Sequence, residues 1–145
     1  MMRKFGLILA ALLLVAVAGC KKGPDVTEEA GLKLTQDYLA AIQAGNFDDA
    51  FRMCAPEFFG VRSPEEWKAY FLDVQQQMGK FEKVTLQEKM DDTRLSGRFL
   101  LFQYSTKYEK GYTKDSITII DKINTSQPLK IFGHKIESGH LRREQ

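Results

Sequence analysis

Histidine and cysteine are nearly missing from this chain of 145 residues: His134 and His140, Cys20 and Cys54 are the whole supply. Neither histidine has an acidic or thiol companion at ligand spacing, so no metal site is expected. No glycine-rich phosphate cradle and no Gly-x-Ser-x-Gly elbow occurs, and no cofactor is expected. No heptad run suggests a coiled-coil partner. Two cysteines are too few for the disulfide framework of a small secreted scaffold. The long apolar run from Phe5 to Ala18 stops at Lys21 and Lys22. It falls short of the roughly 20 residues that a bilayer-spanning helix needs.

What the N-terminus does have is order. Arg3 and Lys4 precede the apolar run, and small residues end it. Basic start, short apolar middle and small-residue end make the pattern of a secretory signal peptide. The junction Val17-Ala18-Gly19-Cys20 resembles the lipobox of bacterial lipoproteins. That resemblance implies removal of residues 1–19, lipid on the Cys20 sulfur and a membrane partner held through that lipid. Each buried methylene contributes about 0.8 kcal/mol, so two or three chains on one cysteine anchor durably where one chain does not. Lys21 follows the cysteine, and by the same resemblance a residue other than aspartate there implies the periplasmic face of the outer membrane. Residues 20–26 read as lipidated cysteine and tether. Fully extended, Cys20 to Thr27 spans about 25 Å, so the domain stays near its membrane.

Cleavage before Cys20 would discard Arg3 and Lys4 and leave 19 basic against 19 acidic side chains. A nucleic-acid partner is not expected, because phosphate binding needs a surplus of Lys and Arg. With Cys20 lipidated, Cys54 has no internal partner. It shares a helical face with Phe47, Ala50 and Phe51, which predicts a buried thiol behaving as a small hydrophobe. A mixed disulfide with a partner is the other reading.

The spacing predicts helices first. Thr27 can cap a helix whose first turn holds Glu28 and Glu29 and whose stripe is Leu32, Thr35, Tyr38, Leu39 and Ile42. Gly45 ends it, a short helix runs from Asn46 or Phe47 to about Cys54, and Pro56 closes that one. Ser63-Pro64-Glu65-Glu66 is a helix start with a capping box. Trp67, Tyr70, Phe71, Val74 and Met78 follow at helical spacing, and Gly79 stops the helix. The period then changes to two. Strands are expected over 80–90, 98–108, 113–123 and 129–138, and residues 139–145 form a charged tail. Helices followed by an antiparallel meander predict an α+β fold over residues 27–138.

The stretch Tyr38 to Ala50, with Pro56-Glu57-Phe58-Phe59 after it, is similar to the opening of small bacterial secreted domains of unknown function. Their fold is the nuclear transport factor 2-like or cystatin-like roll. The resemblance implies N-terminal helices on a curved antiparallel sheet of about four strands. The segment Ala44 to Ala50 also looks like the inner turn of a tetratricopeptide repeat, but no second copy exists to stack on it.

Rolls of this type can enclose a pocket, and some relatives in that superfamily use an acid, a tyrosine or a histidine inside it. Tyr104 and Tyr108, Asp115 and Asp121, and His134 would be the groups to consider here. Trp67, Tyr70, Tyr104 and His134 are the residues expected to line a pocket if one exists. Asp115 beside Lys114, and Asp121 beside Lys122, read as solvated strand-edge charges, and His134 between Gly133 and Lys135 as a surface histidine. No catalytic residue is assigned. The expectation is a non-enzymatic, lipid-anchored envelope protein that binds a protein partner or serves as an accessory subunit. The alternative is a roll with a small-ligand pocket and weak catalysis.

Overall fold

Ser63 begins the helix that organises the domain. Its hydroxyl accepts from the Glu66 N–H at 3.2 Å, and the Glu66 carboxylate accepts from the Ser63 N–H at 2.7 Å. This capping box satisfies two of the N–H groups that a helix start leaves open. The resulting helix is one of three α-helices in the computed structural model, which describes residues 26–95, 97–122 and 126–141. They are α1 (Val26–Gln43), α2 (Phe47–Arg52) and α3 (Pro64–Met78), with a 3-10 turn at Pro56–Gly60. Four strands follow: β1 (Phe81–Arg94), β2 (Gly97–Tyr108), β3 (Gly111–Asp121) and β4 (Lys130–Glu137). They form one antiparallel sheet in sequence order, so the protein is α+β. The expected signal peptide, Cys20 and the tether lie outside the described residues, save Val26, which is already helical. Among the described residues no helix is long and apolar enough to cross a membrane.

The helix stripes pack on one face of the sheet. Tyr38, Leu39 and Ile42 of α1 and Trp67 and Phe71 of α3 are buried with Leu100, Phe102 and Tyr104 of β2, Ile117 and Ile119 of β3 and Ile131 of β4. Alternation along β2 and β3 puts these strand residues on one side, called here the inner face. Gly79 ends α3 at a φ of +80°, a backbone conformation that side chains with a Cβ resist. The chain then turns so that the Lys80 N–H donates to the Glu109 carboxylate at 2.7 Å, tying the β2–β3 turn to the helix end. The segment after α2 covers the outer edge of β4. The Ala55 N–H donates to the Ile131 carbonyl at 2.8 Å, and the Ile131 N–H donates to the Met53 carbonyl at 2.9 Å. An edge that would otherwise offer free backbone groups is thereby paired.

Candidate functional site

The chemistry-bearing side chains of the inner face converge on one place. Asp115 is 2% exposed and His134 is 8% exposed, which corrects the expectation of solvated charges. For Asp115 the reason is strand parity. β3 starts at Gly111, so Asp115 is a mid-strand residue in phase with Thr113, Ile117 and Ile119. For His134 the reason is a bulge. The β3–β4 register slips between Thr118 and Ile119, leaving Phe132 as the extra residue. A bulge inverts side-chain phase, so Ile131 and His134 face inward together.

His134 Nε2 lies 2.9 Å from Asp115 Oδ1. The other carboxylate oxygen accepts from Thr106 Oγ1 and Thr113 Oγ1, both at 2.8 Å. Burial pushes the Asp115 carboxyl up. The hydrogen bond and charge of His134, with the two threonine hydroxyls, outweigh that push and hold it below its ordinary value. The ionised carboxylate therefore takes the Nε2–H, and Nδ1 faces the Tyr38 hydroxyl at 3.1 Å. Burial, with the nearby Cys54 and Asp115, raises Tyr38 well above the usual phenol range, so it stays a phenol. In the neutral imidazole the Tyr38 O–H donates to Nδ1; in the imidazolium Nδ1–H donates to the tyrosine oxygen. Among the described residues no buried side-chain nitrogen or oxygen lacks a partner.

A carboxylate, an imidazole and a phenol in line is an arrangement that can move a proton when its end reaches substrate. Here the end does not. Tyr38 is fully buried. The space beside the pair, between Phe71, Thr106 and Ile136, is about 10 Å³. That volume holds about one water and no organic substrate.

Of the residues expected to line a pocket, Trp67 and His134 border one open groove of about 480 Å³ beside Phe132 and Gly133, and Tyr70 and Tyr104 lie elsewhere. Trp67 is stacked between Phe58 at 4.6 Å and Phe71 at 5.4 Å, and its indole N–H donates to the Phe58 carbonyl at 3.2 Å. Tyr104 is buried, with its hydroxyl 2.5 Å from Thr35 Oγ1. Tyr70 instead borders an open cleft of about 620 Å³ with Asp73, Gln77 and Ser138, where Arg62 lies 4.5 Å over its ring. Tyr108 is buried against Val74 and Met78, and Asp121 stands at the end of β3. Thr106 and Thr113 were not singled out from the sequence, and Tyr38 was expected only as a core residue of the first helix stripe. Their signal was phase alone, since each sits on the buried side of its element.

Cys54 is buried, and burial pushes its thiol up to about 12, against the downward pull of Lys130. Its Sγ–H points at the Ala50 carbonyl at 3.5 Å. Among the described residues no group of three or more His, Cys, Asp or Glu side chains is placed to hold a metal ion.

These elements define the chain as an α+β protein with helices packed on one face of an antiparallel meander. Among solved structures, it is similar to that of Bd1075 from Bdellovibrio bacteriovorus, with a TM-score of 0.52 and 10% identity over 74% of this chain. At that identity the likeness shows the fold alone, and this chain spans 39% of that protein's length. No family model and no curated protein matches the chain.

Proposed function

We propose that this chain is a lipid-anchored cell-envelope protein. Cys20 carries the lipid, and the periplasmic face of the outer membrane is the site of attachment. The domain, read as a nuclear transport factor 2-like or cystatin-like roll, serves as a non-enzymatic binding or accessory module for an envelope protein. The observation that carries this reading is the sealing of Tyr38, His134 and Asp115. The residue types most suited to chemistry satisfy one another inside the core. A network spent in that way positions helix against sheet and leaves recognition to the surface. The alternative of a ligand held between α3 and the sheet would need Trp67 or Phe71 to vacate a stacked position.

The anchor is tested by fractionating cells that express the wild type and Cys20→Ser. The wild type is expected in the membrane fraction and the variant in the soluble fraction. Retention of the variant in membranes would overturn the lipid reading. The module is tested by crosslinking in intact cells. A defined adduct with one envelope protein is expected, and its absence after efficient crosslinking would count against a binding role.

A further inference from the structure

The face of the sheet turned away from the helices is the less usual surface. Rows of residues run across it in register. One row is Glu88, Gln103, Ser116 and Lys135, from β1 to β4. The next is Met90, Leu101, Thr118 and Gly133. The third is Asp92, Phe99, Ile120 and Lys130. Phe99, Leu101, Ile120 and Phe132 are partly exposed there, and Met90 is 41% exposed. At the β4 side lies an open groove of about 480 Å³ lined by Leu101, Thr118, Phe132, Gly133 and Val61. A Cβ at Gly133 would meet nothing within 4 Å, so the floor of the groove is bare.

We propose that two copies of this chain pack face to face through this surface, about a two-fold axis parallel to the strands and between β2 and β3. The proposal stands apart from the lipid reading and rests on the order of residues within the rows. Such an axis lays β1 of one copy over β4 of the other and β2 over β3, while each row keeps its level. Met90 then enters the groove above the partner's Gly133, and Leu101 meets the partner's Thr118. Phe99 meets Ile120 at the next level. At the outer level Glu88 meets Lys135, and the symmetry makes that pair twice. One sheet edge is acidic at this level and the other basic, as a self-complementary contact requires. Lys135 is exposed and answers Glu137 at 2.7 Å within its own chain, an exchange that a surface lysine makes at little cost. Sheets that pack in this way keep their strands roughly aligned, which preserves the pairing of rows.

The test uses the full chain in density-matched detergent, by sedimentation velocity over a concentration series. The wild type is expected to dimerise. Glu88→Lys and Lys135→Glu each place like charges opposite one another and should weaken the dimer about tenfold or more. The double variant restores opposite charges and should return to within about threefold of wild type. Glu88 and Lys135 of one chain are three strand spacings apart, about 14 Å. A zero-length carbodiimide crosslink between them therefore joins two copies, and mixed isotope-labelled chains should show it. A wild type that stays monomeric at about 100 µM would overturn the proposal and leave the face to another occupant. A dimer insensitive to both single reversals, or one that the double variant fails to restore, would overturn it equally.

Discussion

Asp115 and His134 form their 2.9 Å contact diagonally across the β3–β4 pair, since the register sets Asp115 opposite Ile136 and His134 opposite Ile117. Diagonal neighbours on one face are within reach of each other when one side chain is long. The pair thus depends on two strands, on the bulge at Phe132 and on the helix that brings Tyr38 to the far side of the imidazole. Its energetic weight is asymmetric. Building it confers little net stability, whereas breaking it leaves polar groups unsatisfied in the core.

Asp115→Ala should therefore be among the most destabilising single substitutions, at about 3–5 kcal/mol. It strands the His134 Nε2–H and the Thr106 hydroxyl, while Thr113 keeps Tyr108 as a partner. Urea unfolding at neutral pH followed by circular dichroism measures it. A loss below about 1 kcal/mol would show that the network relaxes or hydrates freely.

Acid should unfold the domain through the same carboxylate. Its value in the folded chain is lowered from the ordinary 3.8, so its contribution is fully present above that value. The contribution is lost as pH falls through the folded-state value, because the unfolded chain then binds the proton more readily. Stability of the wild type should decline below about pH 4. Asp115→Asn, which cannot titrate, should flatten that limb relative to wild type. Urea midpoints between neutral pH and about pH 2.5 compare the two.

Tyr38→Phe removes the partner of His134 Nδ1 and little else. A cost of about 1–3 kcal/mol is expected from the nitrogen left without its partner. The aromatic packing against Phe58 should survive, since the ring centroids stand 6.3 Å apart and the ring is retained. Near-ultraviolet circular dichroism that stays native-like while the urea midpoint falls would match this.

Thiol counting reads Cys54 and Cys20 together. The Cys54 thiol is buried and pushed up to about 12, so a maleimide at neutral pH should leave it unlabelled in the folded protein. Unfolding in denaturant should expose one reactive thiol. Two thiols per chain after denaturation would contradict lipid on Cys20, and rapid native labelling would contradict the burial of Cys54.

Gly79→Ala places a Cβ at a φ of +80° and 2.7 Å from Glu109 Oε2. Glu109 is the group that accepts from the Lys80 N–H, so it cannot simply swing away without freeing that donor. The strain of this backbone conformation, φ +80° with ψ −160°, which is essentially confined to glycine, is about 1–3 kcal/mol. A corresponding fall in the urea midpoint is expected. Gly133→Ala, which meets no atom within 4 Å, serves as the near-neutral comparison for folding.

The start and stop of α3 were readable because they are local, whereas α1 already runs from Val26, ahead of the Thr27 cap expected for it. Ser63, Pro64 and Glu66 form their box within one turn, and Gly79 fails to continue a helix for reasons of its own backbone. The four strands were likewise visible as period-two runs, with ends within four residues of those observed. The site was not readable. Asp115 looked solvated because Lys114 stands beside it, although counting back by twos from Ile117 would have set it on the buried side. His134 offered no such count. Only the extra residue at Phe132 turns it inward, next to Ile131, which also pairs with the segment at Met53–Ala55.

Composition and short-range spacing by themselves determined the α+β class, the order of elements and the poverty of metal or phosphate motifs. These properties arise from neighbours along the chain, where one turn of helix or one pleat settles the matter. Tertiary structure decided which polar side chains the core would absorb, and that the Tyr38–His134–Asp115 line would be closed off from solvent. It also decided which residues share a row on the outer face of the sheet. Those outcomes depend on strand register and on contacts between residues dozens of positions apart, and a one-residue shift in register reverses the face of every side chain that follows.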